Sequence, residues 1–182
     1  MFNINSDIKK YKKYSEKNSI VLILTQQGMW ALIVYRINHA IYKSKLPLLI
    51  KKFLLIFGVI NQKWIEIITG ISLPYKSKIG HSFYIGHFGN IIINANSVIG
   101  TNCNISQGVT IGVSGRGDKR GVPIIGDNVY FGANSTVVGK IIIGDNALIG
   151  ANSLVVDDVE PGSTVVGVPA KMVNANDSTG YI

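Results

Sequence analysis

The sequence predicts a mainly β fold: a parallel β-helix preceded by an N-terminal α-helical segment. Three observations support this prediction: a six-residue repeat in the second half of the chain, helix-like spacing of apolar residues before it, and a composition able to bury a core. Of the 182 residues, 47% are hydrophobic and 15% are charged, which a disordered chain does not show. This length predicts one compact domain with a short appendage.

The six-residue repeat dominates from residue 79 onward. It is carried by Ile79, Ile85, Ile93, Ile99, Ile105, Ile111, Ile125, Phe131, Val137, Ile143, Ile149 and Val155, with interruptions at 86–92 and 112–124. A period of six fits neither an α-helix nor a flat sheet, whereas a triangular coil with one short strand and one corner per hexad explains it. Three hexads would close one turn, so the twelve hexads predict about four stacked coils.

The residue types agree with such a coil. Apolar side chains at every sixth position can stack on their equivalents in neighbouring coils and form a continuous core. The corner sequences Gly126-Asp127-Asn128 and Gly144-Asp145-Asn146 contain residues that tolerate turn conformations. Cys103, the only cysteine, lies inside the repeat and is interpreted as a small buried residue. A single cysteine allows no intramolecular disulfide.

The N-terminal segment is different. Ile20–Tyr42 and Leu46–Ile71 show helix-like apolar spacing around a break at Lys43–Pro47, which predicts two or three helices. Residues 1–70 hold 11 basic and 3 acidic residues and so account for the whole net charge of +8. Because the lysines neighbour aliphatic residues, we expect peripheral contact with an anionic membrane surface and no nucleic-acid partner.

We expect no transmembrane span and no secretory signal, because no apolar run reaches about 18 uninterrupted residues. The expected location is the cytoplasm, with contact at the inner face of the membrane. The predicted organisation is a basic and apolar helical segment at 1–70, a β-helix domain at 71–173 and a polar tail at 174–182 that we expect to be frayed.

Two stretches carry a family resemblance. GDNALIGANSLVVDDVEPGSTVVGVPAKMV at 144–173 and SQGVTIG at 106–112 resemble the serine acetyltransferase branch of the hexapeptide-repeat acyltransferases. The resemblance covers about residues 71–173. It implies a left-handed β-helix, a homotrimer with active sites between subunits, and acetyl-CoA as the acetyl donor, with no metal.

The resemblance also implies site residues. It places a general base at His87, because a neutral imidazole can take the proton of an attacking hydroxyl. Backbone N–H groups at Gly112 and Val113 would stabilise the oxyanion. The implied CoA-binding residues are Ser114, Ala133, Ala151 and Lys171. On residue type alone, a solvent-facing corner histidine and small residues at crowded corners remain open as alternatives.

The sequence departs from serine acetyltransferase at four positions. The family's acidic residues fall on Ser72 and Gly86, and its Arg-His pair falls on Gly121 and Val122. A zwitterionic acceptor needs charged partners that these residues cannot supply. We therefore expect the acceptor to be a sugar hydroxyl of a surface polysaccharide or its lipid-linked precursor, as in similar polysaccharide O-acetyltransferases, with serine as the alternative.

Two other classes of function remain. A γ-carbonic-anhydrase-like protein would share the coil but needs three convergent histidines for zinc, and the spacing of His81 and His87 does not match its two close ligands. A non-catalytic β-helix scaffold is the other alternative. We interpret His81 as a surface residue and assign no role to His39.

Overall fold

A computed structural model describes residues 4–182 as an α-helical segment followed by a three-sided parallel β-helix. The helices are α1 (Ile4–Lys13), α2 (Ser19–Thr25), α3 (Gln27–Lys43) and α4 (Leu48–Thr69), and a short 3-10 helix spans Gly117–Lys119. Residues 1–3, the start of the predicted segment 1–70, lie outside the described residues. The prediction of two or three helices omitted α1, because its many lysines mask its apolar spacing.

The strands form three sheets, one for each side of the prism. Sheet A contains β1 (Ile71–Ser72), β4 (Ile91–Ile93), β7 (Thr110–Gly112), β10 (Thr136–Val138) and β13 (Leu154–Val155). Sheet B contains β2 (Lys78–Ile79), β5 (Val98–Ile99), β8 (Ile124–Ile125) and β11 (Ile142–Ile143). Sheet C contains β3 (Tyr84–Ile85), β6 (Asn104–Ile105), β9 (Tyr130–Phe131), β12 (Leu148–Ile149), β14 (Thr164–Gly167) and β15 (Ala170–Asn174). From β1 to β13, consecutive strands pass from sheet A to B to C, so the chain winds around the prism, and β14 and β15 end sheet C as an antiparallel pair.

The strand register matches the predicted winding. Ile125 pairs with Ile143 and Val137 with Val155, each 18 residues apart. The spacing grows to 26 between Ile111 and Val137, because residues 113–123 leave the coil as a loop. Sheet A has five strands, so the coil is longer than the predicted four turns: the repeat count omitted β1 and β14.

The interior of the prism is filled by the predicted repeat positions. Ile105, Phe131 and Ile149 stack in sheet C with at most 1% of their surface exposed. Cys103 is fully buried in a neighbouring row, as expected of a small core residue. At the corners, Asn128 and Asn146 adopt positive φ of 56° and 60°, a conformation that asparagine tolerates better than most residues.

Helices α1 and α3 cover the open N-terminal end of the coil. The first strands of sheets B and C have no neighbour strand on that side, and unpaired backbone groups there are costly when buried. The Tyr11 hydroxyl donates to the carbonyl of Ile85 (3.0 Å) and accepts from its N–H (3.2 Å). The Tyr35 hydroxyl likewise donates to the Ser77 carbonyl and accepts from the Ile79 N–H. Two tyrosine hydroxyls thus replace part of a missing strand.

A buried ion pair completes this cover. Arg36 and Asp7 are 5% and 1% exposed, and their side chains are 2.8 Å apart. Arg36 also donates to the carbonyls of Ile79 and Gly80, while Asp7 accepts from the Phe83 N–H (2.9 Å). The pair therefore joins α1 and α3 to the first coil.

No single helix within residues 4–182 is long and apolar enough to cross a membrane. Helices α2 and α3 meet at 94°, and only the two together have the length and apolar composition that a membrane span requires. Between α3 and α4, Asn38 donates to the Gly58 carbonyl at 2.9 Å, and a β-carbon at Gly58 would collide with the Asn38 side chain. The two helices can approach closely because residue 58 is a glycine.

The C-terminal tail is packed, contrary to the expectation that it is frayed. Ser178 is 2% exposed and donates to the carbonyl of Asn128. The Tyr181 ring packs on Tyr130 with ring centroids 4.8 Å apart, and Lys13 donates to the Ile182 carbonyl. The tail therefore crosses the outer surface of sheet C and reaches α1.

Candidate active site

His87 lies at the corner between β3 of sheet C and β4 of sheet A. We call the stacked corners at residues 86–90, 106–109, 132–135 and 150–153 the CA edge. Here the chain must turn after Ile85, whose side chain points into the core, so the next residues face outward. The imidazole of His87 is exposed and free to approach a bound molecule.

A cleft of about 310 Å³ opens beside His87. It is lined by Tyr14, Tyr84, Gly86, His87, Asn104, Ile105, Ser106, Tyr130, Gly180 and Tyr181. The Tyr14 and Tyr84 rings lie 4.4 Å apart between centroids, and Tyr130 packs on Tyr181, so two aromatic pairs wall the cleft. Helix α1, sheet C and the tail each supply one part of it.

The cleft is polar but carries little charge. Its lining residues include no Asp, Glu, Lys or Arg. Burial, with a smaller contribution from Tyr14, raises the pKa of Tyr84, which therefore stays a neutral phenol. Asn104 is 2% exposed and donates to the Tyr14 hydroxyl (2.9 Å) and the Tyr181 carbonyl. Its buried Oδ1 accepts no hydrogen bond from any described residue.

The imidazole of His87 has no hydrogen-bond partner within residues 4–182. A catalytic histidine is commonly oriented by a carboxylate, and the positions where the family resemblance places acids are Ser72 and Gly86. Ser72 lies in the first strand of sheet A and does not line the cleft. The ring orientation must therefore come from packing or from a bound molecule.

The predicted oxyanion residues lie on a different edge of the prism. Gly112 ends β7, and Val113 follows it at the start of the 113–123 loop, 43% exposed. The Val113 N–H makes no hydrogen bond to any described residue, so it is free to donate. We call the corners at 94–97, 113–123, 139–141 and 156–158 the AB edge. Within one chain, the two edges lie at opposite ends of the sheet A strands. A three-residue strand such as β7 spans about 10 Å, at about 3.3 Å per residue, and this is the separation of the edges.

A groove of about 620 Å³ runs along the AB edge. Its walls are Ser114, Gly115, Asp118, Lys119, Val138, Gly139, Lys140, Ile141, Val156, Asp157 and Asp158. Ser114, a predicted CoA-binding residue, is at one end. The exposed Lys171, another, lies 3.5 Å from Asp157 at the other end. Ser114 therefore lines this groove, and Lys171 pairs with one of its lining residues.

The other two predicted CoA-binding residues lie with His87. Ala133 and Ala151 stack on the CA edge, where the Asn152 N–H donates to the Ala133 carbonyl at 2.8 Å. The predicted site residues thus divide into two groups on two edges of one chain, and a single copy does not bring them together.

The aromatic walls of the cleft were missed in the sequence. Tyr84 and Tyr130 each immediately precede an interior position of the repeat, Ile85 and Phe131, so the hexad register could have placed both on the outer face of sheet C. The contributions of Tyr14 and Tyr181 depend on how the two chain ends pack across that face, which the repeat does not encode.

The histidines do not converge. His39 lies on α3, where its Nδ1 is 2.8 Å from the Tyr75 carbonyl oxygen, and His81 lies at a corner between sheets B and C, next to Ser82. Residues 4–182 contain no cluster of three or more His, Cys, Asp or Glu side chains that could hold a metal ion. This arrangement does not favour a γ-carbonic-anhydrase-like zinc site.

Comparisons with known proteins place the chain in a family. Residues 123–157 match the family described as bacterial transferase hexapeptide (six repeats). The serine acetyltransferase of Bacillus licheniformis is 36% identical over 160 residues, covering 88% of this chain and 70% of that protein. The chain belongs to the serine acetyltransferase family of hexapeptide-repeat acyltransferases. The serine acetyltransferase of Synechococcus elongatus is 31% identical over 157 residues. The match covers 86% of this chain but only 61% of that protein, so this chain spans less than two thirds of that relative's length.

Solved structures of this family share the fold. The Neisseria gonorrhoeae serine acetyltransferase superposes with a TM-score of 0.80 at 34% identity, covering 94% of this chain and 65% of that one. The predicted left-handed β-helix of hexapeptide-repeat type, with N-terminal helices, is confirmed. The expected closer resemblance to polysaccharide O-acetyltransferases is not supported, because these relatives are named serine acetyltransferases.

Proposed function

We propose that this serine acetyltransferase family member is an acetyl-CoA-dependent O-acetyltransferase with His87 as the general base. The observation that carries the proposal is the position of His87: an exposed imidazole on the CA edge, beside a cleft able to hold a small hydroxyl compound. Family membership supports the choice of donor, and one solved relative is described as a serine acetyltransferase in complex with CoA.

In the proposed reaction, Nε2 or Nδ1 of His87 takes the proton of the acceptor hydroxyl while its oxygen attacks the thioester carbon of acetyl-CoA. The tetrahedral intermediate carries an oxyanion, which the free Val113 N–H can stabilise. The C–S bond then breaks, CoA leaves as a thiol with the proton from the imidazolium, and the acetyl ester remains on the acceptor. Because the transfer is direct, it needs no acyl-enzyme and no metal.

The division of site residues between two edges supports a shared site in a homotrimer. If the CA edge of one copy faces the AB edge of the next, His87 and the two alanines lie opposite Val113 and the groove that begins at Ser114. Small residues on one wall let the pantetheine arm approach the backbone, and the ammonium of Lys171 can pair with a CoA phosphate. Each active site would then contain two chains.

Serine is the first candidate acceptor, because the relatives are named for acetylating it and one solved neighbour is a complex with serine. A serine zwitterion would have to find its charged partners outside the cleft, in the neighbouring copy or on the 113–123 loop. Arg116, Lys119 and Arg120 of that loop are exposed and carry the required positive charge for the carboxylate.

An uncharged sugar hydroxyl is the second candidate, favoured by the cleft itself. Its lining contains no Asp, Glu, Lys or Arg, and the family's acidic positions are Ser72 and Gly86. Tyrosine rings such as Tyr84 and Tyr130 offer flat apolar faces and hydroxyl groups, which suit sugar rings better than a zwitterion.

The role of His87 is tested by His87→Gln, with His81→Gln as the matched control, since His81 is an exposed corner histidine on a different edge. Purified protein is supplied with acetyl-CoA and a hydroxyl acceptor, L-serine or a methyl glycoside, and the release of the CoA thiol is followed. Loss of the base should lower kcat by about 100-fold or more, while the control keeps its rate. Equal rates for His87→Gln and the unmodified protein would show that His87 is not the base.

The acceptor is tested by supplying acetyl-CoA with either L-serine or a panel of uncharged methyl glycosides and detecting the acetyl ester by mass spectrometry. Ester on serine would establish the first candidate, and ester on a glycoside the second. Absence of turnover with any hydroxyl compound, in protein that forms trimers and binds CoA, would favour the non-catalytic scaffold and overturn the proposal.

A further inference from the structure

Helix α4 carries an apolar face that no other described residue covers. Successive residues of an α-helix are 100° apart, so nine exposed apolar residues of α4 fall within one third of its circumference, away from Gly58, where α3 makes contact. They are Leu49, Ile50, Phe53, Ile56, Phe57, Ile60, Trp64, Ile67 and Ile68, each between 51% and 82% exposed. We call these nine residues the apolar stripe.

The apolar stripe is unusually large for a protein surface. From Leu49 to Ile68 it is about 29 Å long, at 1.5 Å per residue. Phe53, Phe57 and Trp64 are each about 60% exposed, so these aromatic side chains alone present roughly 300 Å². With six further aliphatic residues, the stripe exceeds the roughly 300–600 Å² of the largest apolar patch on a typical soluble monomer. A surface of this kind is expected to have a partner.

Charge indicates which partner. The stripe contains no charged residue, but exposed lysines border it: Lys43 and Lys45 at its beginning, and Lys52 and Lys63 along one side. Residues 43–69 contain five lysines and one acid, Glu66, which pairs with Lys63 at 2.7 Å. An apolar face with a positive rim is complementary to an anionic lipid headgroup layer over hydrocarbon.

A shallow groove adds to this surface. It has a volume of about 490 Å³ and lies between α4 and the first coil. Its lining is Lys52, Leu55, Ile56, Val59, Ile60 and Tyr75, one lysine among mainly apolar residues. This pairing of a cation with apolar walls fits a lipid with an anionic headgroup.

We propose that the apolar stripe of α4 docks on the surface of an anionic phospholipid bilayer. The helix lies in the plane of the interface with its apolar face in the acyl-headgroup boundary and its lysines among the headgroups. A second copy of the chain is a poorer fit, because a two-fold contact through the stripe would bring two positive rims together. Neither donor nor acceptor enters this argument, so it is independent of the proposed reaction.

Trp64 provides a direct probe, since it lies on the stripe and is 61% exposed. The other tryptophan, Trp30, donates its indole N–H to the Ile23 carbonyl and can be silenced as Trp30→Phe. Vesicles of phosphatidylcholine with phosphatidylglycerol should shift the Trp64 emission to the blue, and brominated lipids should quench it. An emission spectrum unchanged by these vesicles would overturn the proposal.

The lysine rim is tested with Lys43, Lys45 and Lys52 all changed to Gln. At about fivefold per lysine, vesicle affinity should fall about 100-fold. The matched control changes Lys9, Lys12 and Lys17 to Gln, three exposed lysines on or just after α1 with the same loss of charge. Equal losses for the two triple variants would mean that net charge alone drives binding, which contradicts docking through α4.

The competing occupant is tested with Phe57→Ser and Ile60→Ser together, both at exposed positions, with circular dichroism confirming the fold. The proposal predicts weaker vesicle binding and an unchanged mass by light scattering. A lower oligomeric mass with vesicle binding retained would assign the stripe to a second copy and overturn the proposal. The Trp64 quenching experiment leaves these two residues in place and is decisive even if the double variant misfolds.

Discussion

The change Arg36→Met tests whether a buried ion pair holds the helical segment on the coil. Within residues 4–182 the guanidinium makes four hydrogen bonds: to both carboxylate oxygens of Asp7 at 2.8 and 3.1 Å, to the Ile79 carbonyl at 2.7 Å and to the Gly80 carbonyl at 2.6 Å. Methionine keeps most of the side-chain volume but leaves the buried Asp7 carboxylate, 1% exposed, with the Phe83 N–H as its one hydrogen-bond donor among the described residues. Breaking one side of such a pair costs about 3–5 kcal/mol.

Urea denaturation at fixed protein concentration measures this loss. In a parallel thermal unfolding measurement, the melting temperature should fall by roughly 6–20 °C, at about 2–4 °C per kcal/mol for a chain of this size. The control is Lys63→Met at the exposed Lys63–Glu66 pair, where we expect about 0.5 kcal/mol or less. The double variant Asp7→Leu with Arg36→Met should lose less than the two single losses added. A loss below about 1 kcal/mol for Arg36→Met would refute the reasoning.

Three further predictions concern titration, reactivity and packing. Burial, followed by repulsion from Lys13, lowers the pKa of Lys10 from 10.5 to about 8. Between these pH values the unfolded chain binds more protons than the folded protein, so the unfolding free energy of the unmodified protein minus that of Lys10→Met should rise with pH. A pH-independent difference would contradict this. Burial raises the pKa of Cys103 from 9.0 to about 12, which lowers its thiolate population about 1,000-fold at pH 8. Iodoacetamide should therefore label the thiol only after unfolding. Rapid labelling of native protein would show that the thiol is accessible. A β-carbon at Gly100 would meet the backbone of Gly126, so Gly100→Ala should lower the unfolding free energy by about 1–3 kcal/mol in urea denaturation. The control Gly86→Ala should lower it much less, because the nearest neighbour of a β-carbon there is the Tyr84 ring at 3.4 Å. Similar losses for the two variants would rule out this difference in packing.

The coil was predictable because its information is local and repeated. An apolar side chain every sixth residue must face the interior after each short strand and corner, so the sequence alone assigns Ile125, Phe131 and Val137 to three different sheets. The motif at 144–173 identified the family and, with it, the handedness. The position of His87 at an exposed corner follows from the same register.

The helical segment was only partly predictable. The spacing of apolar residues in α3 and α4 indicated helices, but α1 has a polar composition and becomes fixed only when Asp7 and Tyr11 meet the first coil. The stripe on α4 was visible in the sequence as an apolar helix with lysines. Its exposure is decided by the tertiary structure, because α3 packs on a different side of α4.

The six-residue period and its corner residues determine the fold, because each hexad satisfies its own geometry and needs only the adjacent coils as neighbours. The cleft beside His87 depends instead on contacts between residues far apart in the chain: Tyr14 from α1, Tyr84 from the first coil and Tyr181 from the tail. Such contacts leave no periodic pattern, since one side chain from each element is enough to build the wall. Likewise, His87 and Val113 lie on different edges because the chain winds around a prism. Since a single chain does not bring them together, the proposed active site is one that two copies would share.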